Sequence, residues 1–220
     1  MTITRAIDLT YNLEPTTPVY PGYPPVEIQV LESTRFTRSD GRRTLNSSCI
    51  AVGNHCGTHM DAPFHFYEGG LAIDQVDLNQ CAGPAVLVRL NNMPINSQVE
   101  SQHLTKHLDR LKEIRKVIIE TGWGKRWGQA EYFTHHPVIS PAAAELLIQC
   151  GIDLVGVDFP SVDQPPYPVH LAFLGKGIPI VENLANLSAL KSDVIQFVAA
   201  PLKITGRDGS PVRAIALEVS

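Results

Sequence analysis

Short runs of apolar residues, separated by segments rich in proline and glycine, form the main pattern along the chain. Apolar–polar alternation indicates half-buried strands, and continuous apolar runs indicate buried ones. Such runs occur at 6–13, 26–34, 47–55, 84–90, 116–123, 153–159 and 178–184, and twice within 194–219. The alternation at 26–34 predicts a half-buried strand, whereas 84–90 and 116–123 are predicted to be buried.

Two segments carry helical spacing instead. The apolar residues of 101–114 recur every three or four positions, at Leu104, Leu108, Leu111 and Ile114, which gives one apolar stripe. In 140–151, Ser140 suits the N-cap, Pro141 the first helical position and Gly151 the C-terminal cap. Short strands mixed with a few helices predict an α/β fold with a mixed β-sheet. No linker divides the chain, so we expect a single domain over 1–220.

Composition and charge exclude several classes of protein. The chain has 220 residues, 44% of them hydrophobic and 18% charged, which is enough for a normal core, and its net charge is −4. This charge argues against nucleic acid or an anionic membrane as the partner. There is no apolar run long enough for a transmembrane helix or a signal sequence. The four cysteines include no CxxC pair, so a disulfide framework is not expected. We therefore expect a protein of the reducing cytoplasm, with neither nucleic acid nor a membrane as its partner.

Candidate metal ligands are concentrated in residues 54–66, NHCGTHMDAPFHF, which contain His55, His59, Asp61 and His65. Imidazole and carboxylate groups are ligands of Zn²⁺ and Mn²⁺. In a straight strand, positions 55 and 61 would be ~20 Å apart at ~3.3 Å per residue, too far for metal bonds of ~2 Å. A shared ion therefore requires the segment to curl. Gly57 permits that curl, and Pro63 prevents a helix. The spacing alone leaves a histidine-rich surface loop as the alternative.

A second pair, His103 and His107, has better spacing for one face of a helix. No third ligand type lies near this pair in the sequence. We interpret both histidines as part of a solvated helix face.

The pattern His-x-Gly-Thr-His-x-Asp-x-Pro-x-His at 55–65 resembles the signature of the cyclase-like metal-dependent hydrolases. This family includes bacterial kynurenine formamidase, isatin hydrolase and proteins named as polyketide cyclases. The similarity continues along nearly the whole chain, in IDLTYNLEPTTPVYPG, TGW, SPAAAELL, GVDFPSVD, HLAFLGKGIPIVENLANL and PLKITGRDGSPVRAIAL. The resemblance implies a swivelling β/β/α fold of the kynurenine formamidase-like type, and a homodimer or homotetramer.

The resemblance also implies a complete metal site with one or two divalent ions per chain, Zn²⁺ or alternatively Mn²⁺. His55, His59 and Asp61 would bind the first ion, and Asp61 would bridge it to a second ion on His170 and Glu182. The sequence itself supports Glu182, because a carboxylate within the apolar run IPIVENL is costly unless it is paired or metal-bound. His170 alone would be interpreted as a core or loop histidine.

His65 is implied to be the proton carrier in hydrolysis by metal-activated water. An imidazole, with an unperturbed pKa of ~6.5, can take a proton from the water and return it to the leaving group. Packing between Phe64 and Phe66 is the alternative for this residue.

The implied reaction is hydrolysis of an amide carbon–nitrogen bond, in a substrate of the arylformamide or N-formylkynurenine type or in a small cyclic amide. The alternatives are a polyketide-type cyclase or dehydratase, a lactone hydrolase, and a metal-binding protein without catalysis. The sequence departs from the family at one position. Kynurenine formamidases tend to carry an aspartate after Pro-Gly in the N-terminal loop, where this chain has Tyr23. An amino-acid substrate would then lose a partner for its ammonium group.

Overall fold

The structure is a computed structural model, and it describes residues 2–34, 39–40, 45–90 and 93–219. This part of the chain forms thirteen strands and five α-helices. In chain order they are β1 (Ile3–Asp8), β2 (Glu27–Glu32), β3 (Ser47–Ala51), β4 (His59–Asp61), α1 (Leu78–Cys81), β5 (Ala82–Arg89), β6 (Gln98–Val99), α2 (Ser101–Leu104), α3 (Leu108–Ile114), β7 (Lys116–Glu120), β8 (Val138–Ile139), α4 (Pro141–Gln149), β9 (Leu154–Val157), α5 (Pro168–Leu174), β10 (Ile180–Glu182), β11 (Val194–Val198), β12 (Gly209–Pro211) and β13 (Ile215–Val219).

Nine strands form one mixed sheet in the order β1-β13-β11-β5-β7-β9-β10-β4-β12. The central strands β5, β7, β9 and β10 are parallel to one another, and the strands outside them pair antiparallel. Successive residues of a strand point to opposite faces. Val117 and Ile119 of β7 therefore lie in one apolar cluster, and Ile118 lies in the other. The predicted α/β fold with a mixed β-sheet is confirmed.

Of the two helices predicted from the sequence, one is confirmed and one is wrong. Helix α4 matches its prediction, because the Ser140 hydroxyl accepts a hydrogen bond from the Ala143 N–H and Gly151 adopts a φ of +76°. The single helix predicted over 101–114 is wrong, because α2 and α3 are separated by a 3₁₀ turn at Thr105–His107. His107 in that turn is buried, so its assignment to a solvated face is also wrong.

Strands β2 and β3 pair with each other in a separate two-stranded ribbon. The alternation in this segment predicts a half-buried strand. Instead Ile28, Val30 and Ile50 are 39%, 68% and 59% exposed. The alternation is real, but among the described residues no second layer packs on the apolar side of the ribbon, because these side chains are exposed.

The parallel arrangement brings the carboxyl ends of β9 and β10 to one edge of the sheet, and β4 runs antiparallel beside β10. Ligand sites in open α/β sheets form outside the carboxyl ends of parallel strands. Within the described ranges, no helix is both long enough and apolar enough to cross a bilayer.

Candidate metal centre

Three of the predicted ligands lie on two paired strands. His59 and Asp61 are two residues apart in β4 and therefore share one face of the sheet. Glu182 of β10 is the direct cross-strand partner of His59, so its side chain points to the same face. All three side chains are buried. The strand pairing thus places two carboxylates and one imidazole together in the interior.

The turns on either side of β4 bring in two more histidines. Gly57 adopts a φ of +63° in the turn that carries His55, and Pro63 begins the 3₁₀ turn that ends at His65. The rings of His55 and His65 stack with their centroids 4.0 Å apart. The segment therefore curls at both ends of a three-residue strand, which removes the separation that a straight strand would impose.

His170 reaches the centre from α5. Asp163 lies upstream of this helix, and its Oδ2 accepts hydrogen bonds from the N–H groups of Val169 and His170 at 2.5 and 3.2 Å. Its Oδ1 lies 2.5 Å from Nδ1 of His170. One carboxylate therefore satisfies the first turn of the helix and turns Nε2 of His170 toward the ligands on β4 and β10.

Asp61 lies between two groups of candidate ligands. Its Oδ1 is 2.6 Å from Nδ1 of His55 and 3.4 Å from Nε2 of His59, and its Oδ2 is 3.6 Å from Nε2 of His170. Glu182 completes the second group, 3.5 Å from Nε2 of His170 and 3.4 Å from Nε2 of His59. In each of the groups His55–His59–Asp61 and Asp61–His170–Glu182, one ligand atom per residue lies within 4.8 Å of the others.

These residues fit a divalent metal ion. A tetrahedral ion with bonds of ~2.0–2.1 Å keeps its ligand atoms ~3.4 Å apart, and three of the four separations given above within the two groups are 3.4–3.6 Å. The fourth, between His55 and Asp61, is a direct hydrogen bond. In the described part of the chain, the ion pairs of Asp61 and Glu182 are all with histidines. Glu182 also accepts a hydrogen bond from the Val162 N–H at 2.9 Å. Two buried carboxylates beside three imidazoles, with no Lys or Arg in those ion pairs, are a favourable donor set for a cation.

The pKa values show how charge is balanced when only protons occupy the centre. Burial lowers the pKa of both His55 and His59, but the neighbouring carboxylates, chiefly Asp61, outweigh it and raise these pKa values to about 9 and about 10. Burial raises the pKa of Asp61, and the charges of the two histidines more than offset it, so this pKa lies well below its usual value. Protonated imidazoles thus neutralise the carboxylates, and a divalent ion can replace those protons.

His65 differs from the other histidines in its electrostatics. Its side chain is 25% exposed and borders the cavity. Burial lowers the pKa of His65, Asp61 opposes that shift, and the charges of His55 and His170 lower the pKa further. The imidazole is therefore neutral near pH 7, which leaves a ring nitrogen able to accept a proton.

Sequence reasoning did not find Asp208 or assign a role in the centre to Asp163. Asp208 lies in the turn before β12, where Oδ2 is 2.5 Å from Nε2 of His55 and Oδ1 accepts a hydrogen bond from the Asn54 amide at 2.8 Å. A carboxylate between glycine-rich turn residues has the pattern of a solvated turn, so the sequence carries no local signal for this contact. The family resemblance was the one signal for both residues, because Asp163 lies within the similar segment GVDFPSVD and Asp208 within PLKITGRDGSPVRAIAL.

A cavity of about 280 Å³ opens onto the ligands. Its other walls are mainly aromatic, formed by Tyr20, Tyr23, Phe66, Phe133 and Tyr167, together with Pro160, Ser161 and Asn183.

Comparison with known proteins identifies relatives over the whole chain. The cyclase family model, described as "Putative cyclase", matches residues 7–164. Kynurenine formamidase from Geobacillus thermodenitrificans is 34% identical over 212 residues, which cover 94% of this chain and 95% of that protein. Kynurenine formamidase from Salinibacter ruber is 34% identical over 217 residues, with 95% of each chain covered.

Solved structures agree with the sequence relatives. An isatin hydrolase bound to the product analogue thioisatinate superposes with a TM-score of 0.85 at 27% identity, covering 98% of this chain and 92% of that one. Isatin hydrolase A from Ralstonia solanacearum has a TM-score of 0.81 at 26% identity, with coverages of 98% and 92%. The chain therefore belongs to the cyclase-like metal-dependent hydrolase family, together with bacterial kynurenine formamidases and isatin hydrolases, and it is a hydrolase.

Proposed function

We propose that this chain hydrolyses the carbon–nitrogen bond of a small amide attached to an aromatic ring, an arylformamide or a small cyclic amide. The observation that carries this proposal is the buried centre of two carboxylates and three imidazoles at the base of an aromatic cavity. His55, His59 and Asp61 would hold one ion, and Asp61, His170 and Glu182 a second. Zn²⁺ is the proposed metal, with Mn²⁺ as the alternative.

When bound, a divalent ion lowers the pKa of a water molecule toward neutrality and polarises a carbonyl group. The protein supplies the rest of the reaction. His65, neutral near pH 7 and beside the cavity, accepts the proton of the attacking water and delivers it to the leaving nitrogen. The outer hydrogen bonds of the proposed ligands, such as the one that Nδ1 of His170 donates to Asp163, keep the imidazoles in fixed orientations.

The aromatic walls support a flat aryl substrate. Tyr20 makes edge-to-face contacts with Tyr23 and Phe133, with centroids 6.2 and 5.7 Å apart. Phe66 and Tyr167 form a second edge-to-face pair at 5.4 Å. Aromatic rings at these separations give specific, orienting contacts to another ring. A planar aryl amide would be held between the two groups with its carbonyl toward the ligands.

The charge of the lining favours an uncharged aryl group over an amino acid. Among the described residues that line the cavity, the charged or titratable groups are the histidines, Asp61 and Glu182, together with the tyrosine hydroxyls. Both carboxylates are already committed to the centre. Tyr23 presents a ring where kynurenine formamidases tend to carry an acid, so the ammonium group of N-formylkynurenine would lack an ion-pair partner.

Three further properties are proposed besides the reaction. We propose one catalytic domain over 1–220, a homodimer or homotetramer, and a cytoplasmic location. The exposed apolar side chains of the β2–β3 ribbon support self-association, since contiguous exposed apolar residues mark interaction sites. The proline-rich loop at 15–25 places Tyr20 and Tyr23 in the chain's own cavity. Light scattering that gives a single 24.1 kDa chain at micromolar concentration would count against assembly.

A substrate screen tests the proposed reaction. Protein purified without added metal is analysed for bound ions, then loaded with Zn²⁺ or Mn²⁺ and assayed with formanilide, isatin, N-formylkynurenine and an aliphatic lactone. We expect formanilide or isatin to be hydrolysed with a higher kcat/KM than the other two. Faster cleavage of the lactone would favour the lactone hydrolase alternative. Less than about 0.2 equivalents of metal, with no gain on loading, would exclude the metal chemistry.

A further inference from the structure

The three ligand histidines do not present the same nitrogen to the centre. Nδ1 of His59 lies 2.9 Å from the carbonyl oxygen of Gly57, and Nδ1 of His170 lies 2.5 Å from Asp163. Both rings therefore direct Nε2 toward Asp61 and Glu182. His55 is reversed, with Nδ1 facing Asp61 at 2.6 Å and Nε2 facing Asp208 at 2.5 Å.

The turn that carries Asp208 is fixed against the ligand segment by several contacts. The Asn54 amide donates to Oδ1 of Asp208 at 2.8 Å, and the Ala62 N–H donates to the carbonyl oxygen of Asp208 at 2.9 Å. A Cβ on Gly209 would lie 2.8 Å from Cε1 of His55. The glycine thus lets the turn approach the edge of the imidazole, and the Asp208 carboxylate is held in one place.

We propose that Asp208 is a positioning residue of the metal centre, whose carboxylate accepts the Nε2–H of His55 and thereby fixes the tautomer that presents Nδ1 to the ion. A ligating histidine donates its second N–H to an outer partner, which sets both the tautomer and the ring orientation. Asp163 and the Gly57 carbonyl occupy that place for the other two histidines. This inference rests on the ligand set of the proposed function.

Asp208 also connects the ligand to the proton carrier. Its Oδ2 lies 3.8 Å from Nδ1 of His65, and the His65 ring stacks on that of His55. Releasing His55 would therefore disturb the ring stacked on it. Loss of Asp208 is expected to weaken metal binding first, and to lower kcat even when the metal is saturating.

The experiment measures the Zn²⁺ affinity of metal-free full-length protein by competition with a chelator. Removal of an outer partner typically costs 10–100-fold in metal affinity, so Asp208→Ala should raise the Kd for the more affected ion by about that factor. Asp208→Asn keeps an acceptor oxygen without the charge. Charge-assisted hydrogen bonds are roughly twice as strong as neutral ones, so about a 3- to 10-fold rise is expected for Asp208→Asn.

The matched control is Asp74→Asn. Asp74 accepts a hydrogen bond from the Gly206 N–H at 2.9 Å and so supports the same turn, but it is outside the groups of ligand atoms. The Kd of this variant should stay within about threefold of wild type, even if its melting temperature falls. ¹⁵N NMR of the Zn²⁺-loaded protein should show His55 protonated on Nε2 in the wild type and a loss of that single tautomer in Asp208→Ala.

The outcomes separate this inference from the proposed function. Wild-type protein that binds no Zn²⁺ would overturn both. Wild-type binding with an unchanged Kd in Asp208→Asn would overturn the role of Asp208 alone, as would an equal loss of affinity in Asp74→Asn, which would indicate general disruption of the turn. If Asp208→Ala does not fold, the affinity of Asp208→Asn decides the question.

Discussion

Replacing His65 by alanine should separate proton transfer from metal binding. General acid–base catalysis contributes about 10²–10⁴-fold, so kcat should fall by that factor, which equals about 3–5 kcal/mol of transition-state stabilisation. KM should change far less, because the proton moves mainly in the transition state. The metal content should persist, since the His65 ring contacts the ligand His55 only by stacking. Loss of that stacked pair costs about 0.5–1.5 kcal/mol, or about 1–6 °C in Tm.

Three measurements on this variant decide the matter: metal per chain, Tm, and kcat on an arylformamide at saturating metal. His135→Ala is the matched control, because His135 is exposed and bonded to the Thr134 hydroxyl at 2.8 Å. Its kcat should remain within about twofold of wild type, and added imidazole should restore part of the rate of His65→Ala. A His65→Ala protein that keeps its metal and a kcat within about threefold of wild type would refute the proton-carrier role. Loss of metal from His65→Ala would indicate that His65 is itself a metal ligand.

Three further predictions concern the centre and the cavity. Asp61→Asn should lose both ions, because the two oxygens of Asp61 face both groups, whereas Glu182→Gln should mainly lose the second ion. If elemental analysis finds the same metal content in the two variants, Asp61 is not shared between the ions. The pKa values of His55 and His59 are raised to about 9 and about 10, so ion binding near pH 7 should release about two protons at the first group. The affinity should therefore rise with pH up to about 10; calorimetry in buffers of different ionisation enthalpy measures the proton release, and a pH-independent affinity would count against it. Tyr23→Asp should raise kcat/KM for N-formylkynurenine relative to formanilide by only about 2- to 5-fold. The effect is small because position 23 is 46% exposed and an exposed ion pair is worth about 0.2–1 kcal/mol. An unchanged ratio of the two kcat/KM values would show that Tyr23 has no part in substrate selection.

The parts of the fold that the sequence predicts are those set by local pattern. The buried strands β5 and β7 have continuous apolar runs because both of their faces are covered. Helix α5 was missed because its first turn is satisfied by Asp163, several residues upstream, and not by an adjacent N-cap. The β2–β3 ribbon has the alternation of a half-buried strand, and alternation does not state whether a second layer of the same chain covers the apolar side.

The candidate site likewise contains residues that local pattern predicts and contacts that it does not. His55, His59 and Asp61 are close in sequence, and the need to curl around an ion follows from their spacing. The pairing of His59 with Glu182 joins strands that are distant in the chain, so no local pattern predicts it. The contact between His55 and Asp208 spans 153 residues. Neither periodicity nor local composition predicts a contact between residues that are so far apart in the sequence.

The loop at 15–25 lines the substrate cavity but carries none of the proposed metal ligands. Substrate selection and metal binding, which many enzymes build from the same residues, are therefore separated in this chain. The proposed ligands on β4 and β10 are held by the hydrogen bonds of the central sheet, whereas Tyr20 and Tyr23 reach the cavity from an irregular, proline-rich segment. Loops tolerate substitution, insertion and deletion far better than buried strands do. Selection, natural or in the laboratory, can therefore change this short segment and with it the substrate that the cavity accepts, while the strands preserve the candidate metal centre.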